Sequence, residues 1–421
     1  MRIVLLNPPS PFLINQKAFV PLGLLYLAAQ ARQAGHEVLV RDLAGRENDL
    51  PEALSDLQAD LFGITASTPQ YPWAKRLLAE IRRISPGTPV VIGGSHASSL
   101  PERCIEDGFD TAVAGEGEMA LLEIADKGTR GLVREPYIKI IDAIPMPARD
   151  IIDIRGYGYS VEGGLATTLI TSRGCPFQCS FCSKDVWNRG VRFHGVARIV
   201  AELAECIERY GFRHFLFLDD SLTLHRKRLF ELCRVIEPMK IQWRGYARSG
   251  NTDREMLEAM KRAGCVELGV GVESGSQKIL DAVCKATKVE DNSRLVRECR
   301  EVGIVSNVFI LIGLPGESRE TVAETRRWME LNRPDKFGYN IFAPYIGTPI
   351  NGHPENYDIH LYPMPDEQSW VKGRQGEYHS FVSTSNLSRE EILQLFQENF
   401  AYFQDLLNWR PGIGREKEKS A

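Results

Sequence analysis

Three cysteines within eight consecutive positions, Cys175, Cys179 and Cys182, are the residues of this 421-residue chain whose type and spacing most directly specify chemistry. Thiolates separated by three and then two intervening residues can curl around an iron–sulfur cubane and ligate three of its irons, and no fourth cysteine stands nearby to complete the set. One iron of a [4Fe–4S] cluster is then open, as in metal sites that keep a position for a reactant. A structural zinc knuckle is the competing interpretation. It needs a fourth ligand at motif spacing, whereas the next histidine, His194, comes twelve positions after Cys182. The other six of the nine cysteines are scattered, unlike a secreted disulfide framework.

The elements that must position these thiols form two alternating series. The first has strand candidates Arg2–Leu6, Glu37–Val40, Leu61–Thr65, Val90–Gly93 and Thr111–Ala114, with helical stretches such as Leu22–Gln33 and Trp73–Ile84 between them. Five strands interleaved with helices predict a doubly wound parallel α/β sheet, Rossmann-like, because each parallel crossover needs a helix. Ligands of such sheets sit beyond the strand carboxyl ends. Those turns are rich in glycine and hydroxyl residues: Asn7-Pro8-Pro9-Ser10, Ala66-Ser67-Thr68-Pro69, Gly93-Gly94-Ser95-His96 and Gly115-Glu116-Gly117-Glu118. Any one of them reads equally well as a plain tight turn.

Pro136, Pro145 and Pro147 break the pattern, and residues 135–160 read as a linker. A second series follows, with strands expected at Thr167–Thr171, His214–Leu218, Ile241–Tyr246, Val266–Val272, Ser306–Ile312 and Phe337–Phe342. Six βα units predict a partial (β/α)6 barrel, with the cysteine loop directly after its first strand. Ser388 caps a predicted amphipathic helix over Arg389–Leu407, and the polar segment 411–421 reads as a disordered tail. The expected division is 1–134 for the first domain, 135–160 for the linker, 161–345 for the barrel and 346–410 for a C-terminal cap and helix.

The three-cysteine pattern, with the aromatic Phe181 before its third cysteine and six βα units around it, resembles the radical S-adenosylmethionine (SAM) superfamily. Further landmarks follow in order: Asp219-Asp220 after the second strand, Arg248 after the third, Gly271-Val272-Glu273-Ser274-Gly275 ending the fourth and Gly313-Leu314-Pro315-Gly316-Glu317 ending the fifth. The resemblance implies that the open iron chelates SAM and that Phe181 lies near the adenine. Asp219, Arg248, Glu273, Ser274, Gly313 and Pro315 are the other expected SAM contacts, Arg248 pairing with the carboxylate and Glu273 accepting from the ribose. Asp219 and Asp220 read equally as helix caps.

An α/β domain ahead of such a barrel is similar to the cobalamin-binding subgroup of that superfamily. The resemblance implies cobalamin contacts from Pro8, Ser67, Thr68, Gln70, Tyr71, Gly93, Gly94, His96, Gly115, Glu116 and Gly117. One departure is plain: the Asp-x-His-x-x-Gly segment of many cobalamin domains is missing, and Asp42-Leu43-Ala44-Gly45 stands in its place without a histidine.

The chemistry implied is one-electron cleavage of SAM to a 5′-deoxyadenosyl radical, followed by C-methylation of a substrate from methylcobalamin. The alternative within the family is a non-methylating rearrangement, cyclisation or oxidation. A methylthiotransferase would bring more first-domain cysteines than Cys104, and an electron carrier or cobalamin sensor would not need the SAM landmarks. Tyr246, Cys265, Tyr339 and Tyr345 are candidates for hydrogen donation near the substrate. The substrate is expected to be a small molecule or peptide, selected by residues 344–385 with Tyr345, Trp370, Arg374 and His379, and the reductant a flavodoxin or ferredoxin. A net charge of −4 points away from nucleic acid. No stretch approaches the roughly 20 apolar residues of a membrane span, and Met1–Leu6 runs straight into Asn7-Pro8-Pro9, so a cytoplasmic protein is expected.

Overall fold

Each apolar run of the first series becomes a parallel strand in the computed structural model, which describes residues 1–187, 190–364 and 378–408. The strands are β1 (Arg2–Asn7), β2 (Glu37–Asp42), β3 (Leu61–Thr65), β4 (Val90–Gly93), β5 (Thr111–Val113) and β6 (Gly131–Val133). They lie in the order β2-β1-β3-β4-β5-β6, every pair parallel. The strand order reverses between β1 and β3, where doubly wound sheets open a ligand crevice. β6 was not expected: Gly-Leu-Val is too short to show a periodicity, and only its pairing with β5 defines it.

Alternation along β1 assigns the two faces. Ile3 and Leu5 pack in the layer that holds helices Leu22–Gln33 and Glu118–Lys127, while Val4 and Leu6 face the layer of helix Tyr71–Ile84. The linker then crosses in three single-turn 3-10 helices, Ile141–Ala143, Arg149–Ile151 and Ile154–Gly156. Its Arg149 is wholly buried and donates to Glu202 Oε1 at 2.6 Å and Thr168 O at 2.7 Å. It thereby joins the linker to the barrel wall.

The second sheet begins with a hairpin, β7 (Ser160–Val161) and β8 (Gly164–Leu169), turned by Glu162 and Gly163, both at positive φ. Two left-handed residues are what a tight type I′ hairpin demands. This turn starts the first barrel strand at Gly164, earlier than the expected Thr167, and Asp219 ends it by taking the Thr171 amide and hydroxyl. Short β9 (Ser172–Arg173) and β10 (Arg192–Phe193) bracket the cysteine loop as an antiparallel pair. The wall continues through β11 (His214–Phe217), β12 (Gln242–Ala247), β13 (Cys265–Glu273), β14 (Val305–Ile312) and β15 (Lys336–Ile341). Six parallel strands, ordered β15-β14-β13-β12-β11-β8, carry β7 antiparallel at the edge. The partial barrel is as expected.

Along β13, Leu268, Val270 and Val272 are buried in the core, whereas Gly269, Gly271 and Glu273 line the barrel mouth. Helix Arg389–Leu407 starts where the sequence places it, with Ser388 Oγ accepting from Glu391 N and the Glu391 carboxylate accepting from Ser388 N. A reciprocal cap of this kind satisfies two otherwise orphaned donors. Phe396 and Phe403 of this helix pack on Tyr339 and so cover the outer side of β15. No helix of the described residues is long and apolar enough to cross a membrane. The tail expected at 411–421 lies outside the described residues.

Candidate functional site

Cys175, Cys179 and Cys182 line one cavity at the carboxyl end of the barrel strands, together with Phe177, Phe181, Lys184, Asp219, Asp220, Tyr246, Arg248, Glu273 and Lys285. Its glycine floor, Gly269 and Gly271, keeps it open: a Cβ on Gly269 would come within 2.6 Å of Tyr246. The loop is pinned from below. Asp219 accepts from the Thr171 amide and from the hydroxyls of Thr171 and Ser172, and Lys184 Nζ donates to the carbonyls of Cys175 and Phe177. Cys182 is the exposed member of the three and a free thiol here. Iron ligation is what converts such a thiol to thiolate near neutral pH.

Arg248 is buried, lies 3.7 Å over the Phe177 ring and donates Nη1 to Cys179 Sγ at 3.7 Å. Its Nε and Nη2 are buried without a protein partner. A guanidinium with two orphaned donors beside a cysteine sulfur fits a carboxylate-bearing ligand over a cluster. Glu273 stands at a bulge between β13 and β14 with φ of 63°, which turns its carboxylate toward the cavity. Lys285, to which no sequence motif drew attention, meets it at 2.6 Å.

Other expected positions are corrected. Asp219 is fully buried and faces the loop backbone, so its role here is to hold the loop. Ser274 bonds Thr325 Oγ1 and the amide of Ser276, and it does not line the cavity. Gly313 donates its amide to Glu317, and its α-carbon faces Val382 and Ile392, while Pro315 is buried in the same loop. The fifth-strand turn is thus stapled to the C-terminal segment. Cys265 lies at the amino end of β13, opposite the mouth, and Tyr339 points outward against helix Arg389–Leu407. Alternation in a strand sends such residues to core. Tyr246 does line the cavity, Tyr345 is 47% exposed outside it and His379 is exposed. Trp370 and Arg374 lie outside the described residues.

A second cavity of about 890 Å³, mouth included, lies on the β1 face toward helix Leu22–Gln33. Its walls are apolar: Leu5, Leu24, Leu27, Ile64, Val91, Val113 and Leu121, with Gly23, Gly63, Gly93, Gly94, Gly115 and Gly117 supplying the space. Gly94 is obligatory, because its φ is 93° and a Cβ there would meet the Ala66 carbonyl oxygen at 2.8 Å. Such a slot fits an aromatic tail reaching in from the strand ends. Of the expected cobalamin contacts, Gly93, Gly94, Gly115, Glu116 and Gly117 line it.

Pro8, Ser67, Thr68 and Gln70 form the sheet's rim instead. Gln70 Nε2 donates to Ser10 Oγ at 2.9 Å and toward Pro8 O, and its Oε1 accepts from Ser67. His96 and Tyr71 are a correction. They are buried in contact with the opposite layer, stacked at 3.8 Å, with Tyr71 donating to Asp107 and His96 beside Thr68. Burial holds His96 down at about 4, so it is neutral. Asp42 is likewise structural, accepting from Tyr157 and Asn7.

One segment walls both cavities. Ile170, Arg173, Val186 and Trp187 line the apolar one, and residues 175–184 between them carry the cysteines into the other. Arg173 bonds Glu116 at 2.7 Å and Glu118 at 2.6 Å, and Arg192 takes the other Glu116 oxygen at 2.6 Å. The acidic Gly115-Glu116-Gly117-Glu118 turn therefore anchors the cysteine loop as well as bordering the slot.

Comparison with known proteins agrees with this geometry. Residues 17–125 match the B12 binding domain and residues 169–329 the radical SAM superfamily. An uncharacterized methyltransferase of Pyrococcus horikoshii is 31% identical over 83% of this chain and 82% of its own length. An anaerobic magnesium-protoporphyrin IX monomethyl ester cyclase of Cereibacter sphaeroides is 29% identical over 83% of this chain, which spans 63% of that protein. The solved radical SAM methyltransferase TsrM of Kitasatospora setae, with cobalamin and a [4Fe–4S] cluster bound, shares the fold at TM-score 0.74 and 20% identity, covering 94% of this chain and 90% of its own. The chain belongs to the cobalamin-binding radical SAM enzymes, whose cofactors are a [4Fe–4S] cluster, SAM and cobalamin.

Proposed function

We propose that this protein is a C-methyltransferase acting on a small molecule or peptide. The observation that carries the reading is the shared wall: residues 170–187 bring the three-cysteine cavity against an apolar slot suited to cobalamin. The methyltransferase relative from Pyrococcus horikoshii supports it. When bound, the cluster with SAM supplies a carbon-centred radical for hydrogen abstraction, and cobalamin supplies methyl transfer.

The chain's own part is placement and exclusion of water. Cys175, Cys179 and Cys182 hold the cluster, and Arg248 orients the SAM carboxylate beside Cys179. Phe181 offers its ring to the adenine and Glu273 its carboxylate to the ribose. The glycines of the slot admit the cobalamin tail, the rim of Pro8, Ser67, Thr68 and Gln70 meets the corrin, and Tyr246 lines the space left for substrate. Residues 1–134 form the cobalamin unit, 135–160 the connection, 161–345 the SAM barrel and 346–410 the cap. A flavodoxin or ferredoxin in the cytoplasm completes the reading. Its support is that the six cysteines outside the cluster loop form no disulfide, the state that reducing compartments maintain.

The test is a product count. Reconstituted protein, incubated anaerobically with trideuteromethyl-SAM, a low-potential reductant and a panel of acceptors, is expected to release 5′-deoxyadenosine and S-adenosylhomocysteine in equal amounts with a deuterated product. The cyclase relative favours the second reading, a non-methylating radical reaction. That reading predicts 5′-deoxyadenosine without S-adenosylhomocysteine.

A further inference from the structure

Lys285 is a buried ammonium placed at some conformational expense. It is 7% exposed, lines the cysteine cavity and lies between Cys284 and Ala286, two non-glycine residues at φ of 53° and 51°. Left-handed backbone disfavours residues with a Cβ, and two such residues flanking one side chain are characteristic of functional constraint. The turn itself is the end of helix Gln277–Ala282, closed by the amide of Lys285 on Leu280 O. Glycine at position 284 or 286 would satisfy it without strain.

The side chain has a defined target. Nζ donates to Glu273 Oε1 at 2.6 Å, and both side chains are about nine-tenths buried. The pair crosses over Gly271, whose absent side chain makes the room: a Cβ there would come within 2.3 Å of Glu273 Oε1 and 2.8 Å of Lys285 Nζ. Lys285 Nζ also stands 5.7 Å from the Phe181 ring centroid. It is therefore at the nucleoside end of the cavity, whereas Arg248, with its free donors, is beside Cys179 at the cluster end.

We infer that Lys285 is a positioning residue: it holds the Glu273 carboxylate in one orientation, as acceptor for the two ribose hydroxyls of a bound adenosyl nucleoside. One oxygen is engaged by the ammonium, which leaves the other to face the ligand. Charge-assisted hydrogen bonds of fixed direction are the strong ones, and a carboxylate free to rotate at a bulge would lose that advantage. The inference rests on the reading of Glu273 as the ribose contact, and the experiment separates the two.

Binding of SAM and of its 2′,3′-dideoxy analogue is measured on the cluster-reconstituted full chain by anaerobic calorimetry, for the native protein, Lys285→Met, Lys285→Arg and Glu273→Gln. Iron content serves as the check that each variant is folded. The native protein is expected to prefer SAM about tenfold or more, as hydrogen bonds to a charged acceptor allow. Lys285→Met is expected to lose most of that preference while its affinity for the dideoxy analogue stays near native, and Lys285→Arg to keep part of it. A general collapse of the site weakens both ligands alike and overturns the inference, as does an undiminished preference in Lys285→Met. If the native protein itself does not distinguish the two ligands, or Glu273→Gln keeps the full preference, the ribose reading of Glu273 falls, and the inference falls with it.

Discussion

The two cavities are built on opposite principles although one segment of chain walls both. The slot over β1 is an absence: glycines replace side chains on one sheet face, and its affinity for a ligand rests on apolar surface. The barrel mouth is crowded with Lys184, Asp219, Arg248, Glu273 and Lys285, which are buried or partly buried at the cysteines, and with the exposed Asp220. A slot of the first kind is fragile to added volume and tolerant of charge changes elsewhere. A site of the second kind depends on each partner, because removing one member of a buried pair leaves the other uncompensated.

The largest effect expected on this contrast is at the cysteines. Cys175→Ala, Cys179→Ala or Cys182→Ala should each drop iron from about four per chain toward none and abolish 5′-deoxyadenosine formation, with cobalt retention largely kept. Metal analysis with product chromatography checks this. Next is the converse. Gly23 lines the slot with nothing within 4 Å of its missing Cβ, so Gly23→Phe is expected to fill the slot without strain. Cobalt retention should then fall at least tenfold while iron and SAM cleavage persist.

The hinge of the comparison is Arg173. Arg173→Met leaves Glu118 without its ionic partner and Glu116 with Arg192 alone, both carboxylates almost fully buried, and should lower unfolding free energy by about 3–5 kcal/mol. Denaturant titration measures it, and both cobalt and iron retention should suffer, unlike in the two variants above.

The smallest effect is one of pH. His96 and His194 are held at about 4 by burial, against an ordinary value of 6.5. Between those values the unfolded chain binds more protons, so stability is complete above 6.5 and is lost as pH falls toward 4. Each contributes up to about 3 kcal/mol. A shallower acid limb in the thermal unfolding of His96→Asn would confirm its share.

The thiol spacing and the alternation of apolar runs were enough to read the cluster and both sheets, because those patterns are local. β6 and the true start of β8 were not legible, since a three-residue strand and a two-residue turn show themselves only through pairing. At the site, Phe181 was legible from its place before the third cysteine and Arg248 and Glu273 from their places at strand ends, and all three line the cavity. Lys285 escaped because it follows a helix, and only the fold returns it to Glu273. Arg173 was visible in Thr-Ser-Arg-Gly-Cys, but its partners are more than fifty residues away in the other domain. Conversely, Cys265 and Tyr339 were plausible by nearness to strands. Which end of the strand, and which face, decided against them.

The central claim is that one chain holds both cofactors. Protein reconstituted anaerobically with iron, sulfide and hydroxocobalamin, freed of unbound corrinoid and analysed for both metals, is predicted to carry about one cobalt beside about four irons. Four irons with no retained cobalt would contradict the account of the slot and remove methylation as the leading function.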